Sequence, residues 1–232
     1  MNYTALWQTK LLETIDDVQR RIAGDFPGSG LGKLAGELRG VIAAALARVE
    51  AIRRPNLGLR AGVWLLLAGL VALVGRIAAE VRWSPENLRE PLNLVQFINS
   101  SLASVVFISA GVVSLVTLEN RLKRGRALKA LHELRAMAHI IDLHQLRKDP
   151  TLPGGAGPPA EPPLTEPQTA RYLDYCSDLL ALISKTAAWY GQQFPDPIAL
   201  QAVDQVEGLT AGLSQKIWQK IMLLDRGGGP QT

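Results

Sequence analysis

The sequence predicts an all-α protein in which a two-pass transmembrane helical hairpin is joined to a cytoplasmic bundle of amphipathic helices. Three observations support this fold class. Apolar residues are concentrated in two blocks near the middle of the 232-residue chain. Basic residues flank the outer side of each block, and apolar residues recur at helical spacing before and after the blocks.

The second block, residues 96–118, carries no charged residue. At about 1.5 Å per residue it extends over roughly 34 Å, whereas the hydrocarbon core of a bilayer is about 30 Å thick. This block is therefore predicted to be a transmembrane helix.

The first block, residues 59–81, is interrupted by Arg76. A long arginine side chain near the end of a span can snorkel to the membrane interface, and Glu80, one turn further on, can partly neutralise its charge. We therefore predict a first transmembrane helix with Arg76 as a snorkelling charge. An arginine that serves an ion or proton path is the alternative.

A polar stripe of small, hydroxyl and amide residues runs along one side of the second block. Such residues let helices approach closely and form hydrogen bonds, so the stripe is predicted to pack against the first span or a second subunit. A water-lined pore is the alternative, and Phe107 in the same stripe argues against it. The stripe consists of Gln96, Asn99, Ser100, Ser104, Gly111 and Ser114.

The distribution of basic residues predicts the orientation. Residues 82–95 form a short external loop with Arg82 and Arg89, whereas the outer flanks carry Arg48, Arg53, Arg54, Arg60, Arg121, Lys123, Arg124, Arg126 and Lys129. By the positive-inside rule both ends of the chain face the cytoplasm, and we expect a multi-pass protein of the cell (inner) membrane. Topology and anionic lipid explain the net charge of +4 better than nucleic acid, which we do not expect as a partner.

The remaining segments are predicted to form amphipathic helices. Residues 1–54 hold two helices, residues 119–148 continue the second span, residues 149–167 form a Pro- and Gly-rich linker, and residues 168–226 hold a helix pair. Thr165 with Gln168 fits a capping box, and Asp196 with Pro197 opens the last helix. Because each helix has an apolar stripe that must be covered, we expect them to form a bundle. The near-heptad pattern of the last helix predicts self-association, although burial inside the bundle gives the same pattern.

Residues that could carry chemistry are few. His132 and His139 are weak candidates for a metal site, because they lie two helical turns apart and a partner would have to supply further ligands. His144 is predicted to project elsewhere, and the single cysteine, Cys176, fits a buried helix face. No motif of a nucleophile, a paired carboxylate or a nucleotide-binding loop is present, so we expect neither catalysis nor a cofactor.

These observations predict an integral membrane protein that acts as a helical scaffold, adaptor or regulator through a protein partner or self-association. The alternative is a subunit of an oligomeric channel, since two spans with both ends in the cytoplasm is also the topology of the large-conductance mechanosensitive channel. That similarity concerns topology alone.

Overall fold

The computed structural model describes residues 3–53, 57–80, 91–146 and 164–227. These ranges contain six helices and no strand: α1 (Tyr3–Asp25), α2 (Gly30–Arg53), α3 (Leu57–Glu80), α4 (Pro91–Leu146), α5 (Glu166–Gln193) and α6 (Pro197–Gly227). The predicted all-α class is therefore confirmed. Residues 82–90 of the predicted external loop and residues 149–163 of the predicted linker lie outside the described residues. The predicted loop extends too far, because residues 91–95 are helical and belong to α4, and the last two residues of the predicted linker belong to α5.

The chain divides into two compact units. The bundle unit comprises residues 1–53 and 124–232, and the hairpin unit comprises residues 54–123. Residues 91–123 of α4 belong to the hairpin unit, and residues 124–146 belong to the bundle unit.

The bundle unit is built from the stripes that helical spacing predicts. Nearly every residue of these stripes within the unit is buried, because the five helical segments pack their apolar faces against one another. The predicted helical bundle is confirmed. Its largest fully buried side chains include Ile15, Ile22, Leu31, Leu38, Ile42, Leu131, Leu134, Ile141, Leu173, Leu179, Trp189 and Tyr190.

Local signals in the sequence set the helix boundaries. Gly28 between α1 and α2 has a φ of +73°, a left-handed conformation that favours glycine. At the start of α5 the Thr165 backbone N–H donates to Gln168 Oε1 at 3.0 Å, as the capping box predicts. Asp196 Oδ1 accepts from the backbone N–H groups of Ile198 and Ala199 at 3.1 Å each, so it caps α6.

The last helix buries its near-heptad stripe within the chain. The buried residues of this stripe are Ala199, Val203, Val206, Thr210, Leu213 and Ile217. Ile221 and Leu224, which continue it, are half-buried against the core. Intramolecular packing therefore accounts for most of the repeat, and self-association stays a prediction that depends on other residues of the surface.

Candidate functional site

The most unusual surface of the described residues lies on α4. One described helix, Leu102–Leu146, is long and apolar enough to cross a membrane; its most apolar stretch has a mean hydropathy of 2.0, and none of that stretch is buried. Phe107 is 78% exposed, and Val106 and Val113 are exposed as well. Large apolar side chains are therefore exposed on a helix that is long enough to cross a bilayer.

Helix α3 is also apolar, but its uncharged stretch is shorter. The apolar segment Arg60–Ala72 falls below the length of a span. Trp64, Leu65 and Val71 are nevertheless more than two-thirds exposed. The two-pass arrangement therefore stays a prediction, although α3 shares the exposed apolar character of α4.

Two glycines mark where α3 and α4 approach each other within the hairpin unit. A Cβ atom at Gly62 would lie 3.8 Å from Leu115 Cδ1, and one at Gly111 would lie 3.6 Å from Leu66 Cδ1. Position 62 thus faces 115, and position 66 faces 111. From the first contact to the second, the residue number on α3 increases from 62 to 66 while that on α4 decreases from 115 to 111. The two helices therefore run antiparallel, as in a hairpin.

The residues of the predicted polar stripe of α4 differ in their exposure. Ser104 and Gly111 are half-buried and share a face with Ile108 and Leu115, the face that meets α3 at Gly111 and Leu115. Asn99 and Ser114 are exposed. Gln96 and Ser100 belong to α4, but their side chains lie outside the described residues.

Charged residues of the hairpin unit lie toward the ends of its apolar stretches. Arg60 precedes the apolar part of α3, and Arg76 follows it; both are exposed. On α4 the ammonium group of Lys123 pairs with the Glu119 carboxylate at 2.7 Å, beyond the uncharged block. A charge near the end of a span can reach the interface, so these positions are compatible with a bilayer around the uncharged parts.

The three histidines do not converge. His132 and His139 are exposed on α4, whereas His144 is half-buried with its Nδ1 atom 3.4 Å from the Tyr172 hydroxyl. A Cβ atom at Gly30 would come within 2.9 Å of His144 Cε1, so the imidazole packs on the first residue of α2. Among the described residues no three His, Cys, Asp or Glu side chains are grouped to hold a metal ion.

Cys176 lies in the bundle core. Burial raises the pKa of its thiol to about 12. Because the thiolate is the reactive form, this cysteine is inert at neutral pH, and its predicted place on a buried helix face is confirmed.

Tertiary contacts that sequence reasoning missed connect the bundle helices. The single Nε–H of Arg124 is shared between the two Asp196 carboxylate oxygens at 3.0 Å each, and Nη2 donates to Oδ2 at 2.7 Å. The Tyr190 hydroxyl donates to the Ala45 carbonyl at 2.7 Å. The Asp–Pro signal at position 196 indicated a helix start, but no local pattern indicated the partner on α4.

Comparison with protein-family models, with curated proteins and with solved structures gives no match.

Proposed function

We propose that this chain is an integral membrane protein in which α3 and the first part of α4 form a two-pass hairpin that anchors a cytoplasmic helical bundle. The bundle acts as a scaffold, adaptor or regulator through a protein partner or a second copy of the chain. The role is one of binding and assembly, without catalysis.

The observation that carries this proposal is that no residue in the most apolar stretch of α4 is buried. A core helix of a soluble protein can be equally apolar, but its neighbours bury it. Apolar patches larger than a few hundred Å² are rare on soluble monomers and indicate contact with a membrane or a partner. An uncharged stretch long enough to span about 30 Å favours the membrane.

The second crossing has weaker but consistent support. Helix α3 has 24 residues and is therefore about 36 Å long. Its antiparallel approach to α4 at Gly62 and Gly111 fits two adjacent spans, since small residues at helix interfaces are typical of membrane proteins. Arg76 then lies near the external end of α3, where its side chain can reach lipid headgroups.

The basic residues outside the two blocks support an orientation with both chain ends in the cytoplasm. The stretches next to the two blocks carry nine Lys and Arg residues, four in residues 48–60 and five in residues 121–129, against two in residues 82–95. This orientation places the bundle unit in the cytoplasm at the cell (inner) membrane.

An exposed apolar pair on α6 supports a role in association. Trp218 is 61% exposed and Met222 is 51% exposed; they lie one turn apart on a face of α6 that differs from the buried Leu213 and Ile217 face. Tryptophan and methionine are enriched at protein interfaces. We propose that this pair contributes to the contact with the partner.

The mass of the detergent-solubilised protein, measured by light scattering and corrected for bound detergent, tests the proposal against the channel alternative. A monomer or dimer is expected, because neither provides enough helices to line a pore. A closed assembly of four or more subunits would overturn the anchored scaffold in favour of the channel.

The contact surface is tested by the double variant Trp218→Ala/Met222→Ala. If the protein is a dimer, this variant should shift it to a monomer; if it is a monomer, the variant should weaken crosslinking to cytoplasmic proteins at this face. Ile198→Ala, another exposed apolar position on α6, is the matched control and should change neither result. Equal effects of the two changes would remove Trp218 and Met222 from the proposed contact.

A further inference from the structure

A basic segment follows the uncharged block of α4. Residues 121–129 contain five Lys and Arg residues and no Asp or Glu. Two of the five cations are neutralised from elsewhere, because the Lys123 ammonium group pairs with Glu119 at 2.7 Å and the Arg124 guanidinium group pairs with Asp196 at 2.7 Å. Three cations of the segment are left without either carboxylate.

These three cations are Arg121, Arg126 and Lys129, and all of them are exposed. None of the three makes a hydrogen bond or an ion pair with a residue of the described part of the chain. The next acidic residue along α4, Glu133, already pairs with Arg48. An anion from outside the chain can therefore bind the three cations without displacing an internal partner.

The rest of the bundle unit treats its arginines differently, because most of those described have a carboxylate partner. The pairs include Arg20–Asp17, Arg39–Asp16, Arg48–Glu133, Arg124–Asp196 and Arg171–Asp25. The positive-inside rule counts Lys and Arg whatever their partners, so it explains an orientation but not a run of unpaired cations. The unpaired state of residues 121, 126 and 129 needs a reason of its own.

Exposed leucines share a helix face with these cations. Leu118 and Leu122 are 45% and 44% exposed, and spacings of three, four and seven residues place them on the same side of α4 as Arg121, Gly125 and Lys129. A Cβ atom at Gly125 would meet nothing within 4 Å, so this position leaves open space. A helix face that combines exposed leucines with Lys and Arg is typical of the interface of a membrane.

The distances along α4 fit that interface. Arg121 follows the last residue of the uncharged block by about 4.5 Å along the helix axis, Arg126 by about 12 Å and Lys129 by about 17 Å. Each headgroup region is about 5–8 Å thick, as the difference between the whole bilayer and its hydrocarbon core shows. With the block in hydrocarbon, Arg121 lies among the headgroups, the long side chain of Arg126 reaches toward them, and Lys129 acts from further away.

We propose that the basic face of α4, formed by Leu118, Arg121, Leu122, Gly125, Arg126 and Lys129, binds the headgroups of anionic phospholipids. The lipid phosphate lies at the Arg121 guanidinium group, which can donate two parallel hydrogen bonds to it. A zwitterionic lipid also offers a phosphate, but its choline group is repelled by the same cations. The leucines favour a lipid over a nucleic acid or an acidic protein. This inference rests on the proposed membrane anchor and adds the chemistry of the lipid that α4 selects.

The lipid retained by the purified full-length chain tests the proposal. The chain is immobilised in mixed micelles with equal amounts of phosphatidylglycerol and phosphatidylcholine of the same acyl chains, then washed, and its retained lipids are quantified. We expect a ratio of phosphatidylglycerol to phosphatidylcholine of about ten at 0.1 M salt, because each nearby cation adds to the attraction. The ratio should fall at 1 M salt, where the screening length shortens to about 3 Å.

The outcomes separate this inference from the membrane anchor. Equal retention of the two lipids at low salt would overturn the basic face as a site for anionic lipid and leave the anchor intact. Retention of neither lipid would contradict the anchor and this inference together.

Two triple variants with the same change in net charge locate the effect. Arg121→Gln/Arg126→Gln/Lys129→Gln should bring the ratio close to one. The control removes three exposed lysines elsewhere in the bundle unit, and it should keep the ratio of the parent; it is Lys10→Gln/Lys33→Gln/Lys185→Gln. All six positions are exposed, so both variants should melt like the parent. Equal losses in the two variants would show that net charge alone selects the lipid.

Single variants then test the position of the phosphate. Arg121→Gln should lower the ratio most and Lys129→Gln least, because the attraction falls off within about 10 Å of the membrane surface at 0.1 M salt. A larger effect of Lys129→Gln than of Arg121→Gln would contradict a phosphate at Arg121.

Discussion

The bundle unit and the hairpin unit use similar apolar side chains in opposite ways. In the bundle, Ile183, Leu179 and Trp189 are almost completely buried, whereas in the hairpin Leu65 is 73% exposed and Phe107 is 78% exposed. A fold with water as its only solvent would cover such residues. We propose that this difference reflects two solvents, with hydrocarbon taking the place of a core around the hairpin.

The two units also differ in where they hold polar and charged groups. The bundle holds polar groups in its interior when they have partners, such as Arg124 with Asp196 and the Tyr190 hydroxyl with the Ala45 carbonyl. In the hairpin the uncharged part of α4 holds amide and hydroxyl groups but no charged residue, and the Glu119–Lys123 pair lies beyond it. Each unit follows the rule that a buried or membrane-embedded charge needs a partner or a route to water.

Charges introduced on α4 are expected to have the largest effect, a loss of membrane insertion. The double variant Val106→Asp/Val113→Asp should abolish membrane insertion, because each aspartate at the centre of a span costs about 2.5–3.5 kcal/mol. Resistance of the membrane fraction to alkaline extraction measures the result. Trp218→Asp, an equally exposed apolar position in the bundle, should leave extraction unchanged; a loss of insertion with this control as well would remove the distinction between the units.

Core truncation provides the second test. Leu179→Ala should destabilise the bundle by about 2–5 kcal/mol, since a cavity remains in a packed core. Leu65→Ala in the hairpin removes the same atoms from an exposed position and should change the unfolding free energy by less than about 1 kcal/mol. Denaturant titration in detergent measures both. Similar losses at the two positions would show that Leu65 is as tightly packed as Leu179.

A smaller effect is expected from enlarging a glycine between α3 and α4. Gly111→Leu should separate the helices and cost about 1–3 kcal/mol, because Leu66 already contacts this position. Gly69→Leu is the matched control, since nothing lies within 4 Å of a Cβ at that position. Disulfide crosslinking between cysteines at positions 62 and 115, in a Cys176→Ala background, reports the approach. Efficient crosslinking in Gly111→Leu would contradict this packing.

The smallest expected effect is a pH dependence of the bundle. The hydrogen bond from Arg124, then the N–H groups of Ala199 and Ile198, lower the pKa of Asp196. The unfolded chain therefore binds more protons than the native one below about pH 4, and stability falls as the pH decreases through this range. Asp196→Asn keeps a capping oxygen and loses the ion pair, so it should make the stability fall less steeply as the pH decreases.

Melting temperatures between pH 7 and pH 3 measure the difference between the parent and Asp196→Asn. Asp178 acts in the opposite direction, because burial and the neighbouring Asp174 raise its pKa. Asp178→Asn should therefore steepen the loss of stability in acid. Parallel curves for the parent and Asp196→Asn would contradict the role of the Arg124–Asp196 pair.

Sequence periodicity predicted most of the bundle but little of its polar chemistry. Stripes such as Leu11, Ile15 and Val18 are buried because helical spacing places them on one face. Leu122 lies in the segment predicted to continue the second span as an amphipathic helix, but it is 44% exposed and belongs to the hairpin unit. Along α4, burial by the bundle helices begins at Ala127.

The candidate sites depend on contacts that no local pattern specifies. The half-buried face of α4 with Ser104 and Gly111 meets Leu66, on another helix, at Gly111. The sequence showed which residues of α4 are small and polar. It did not show that Ser114 is exposed while Gly111 meets α3.

Cysteine labelling tests most directly whether the chain crosses the membrane twice with both ends in the cytoplasm, as we propose. Single cysteines at Ala23, Asn87 and Ala211, each in a Cys176→Ala background, can be treated in intact cells with a membrane-impermeant maleimide. We expect labelling of Asn87→Cys in intact cells and labelling of Ala23→Cys and Ala211→Cys only after permeabilisation. Labelling of either Ala23→Cys or Ala211→Cys in intact cells would contradict the two-pass topology.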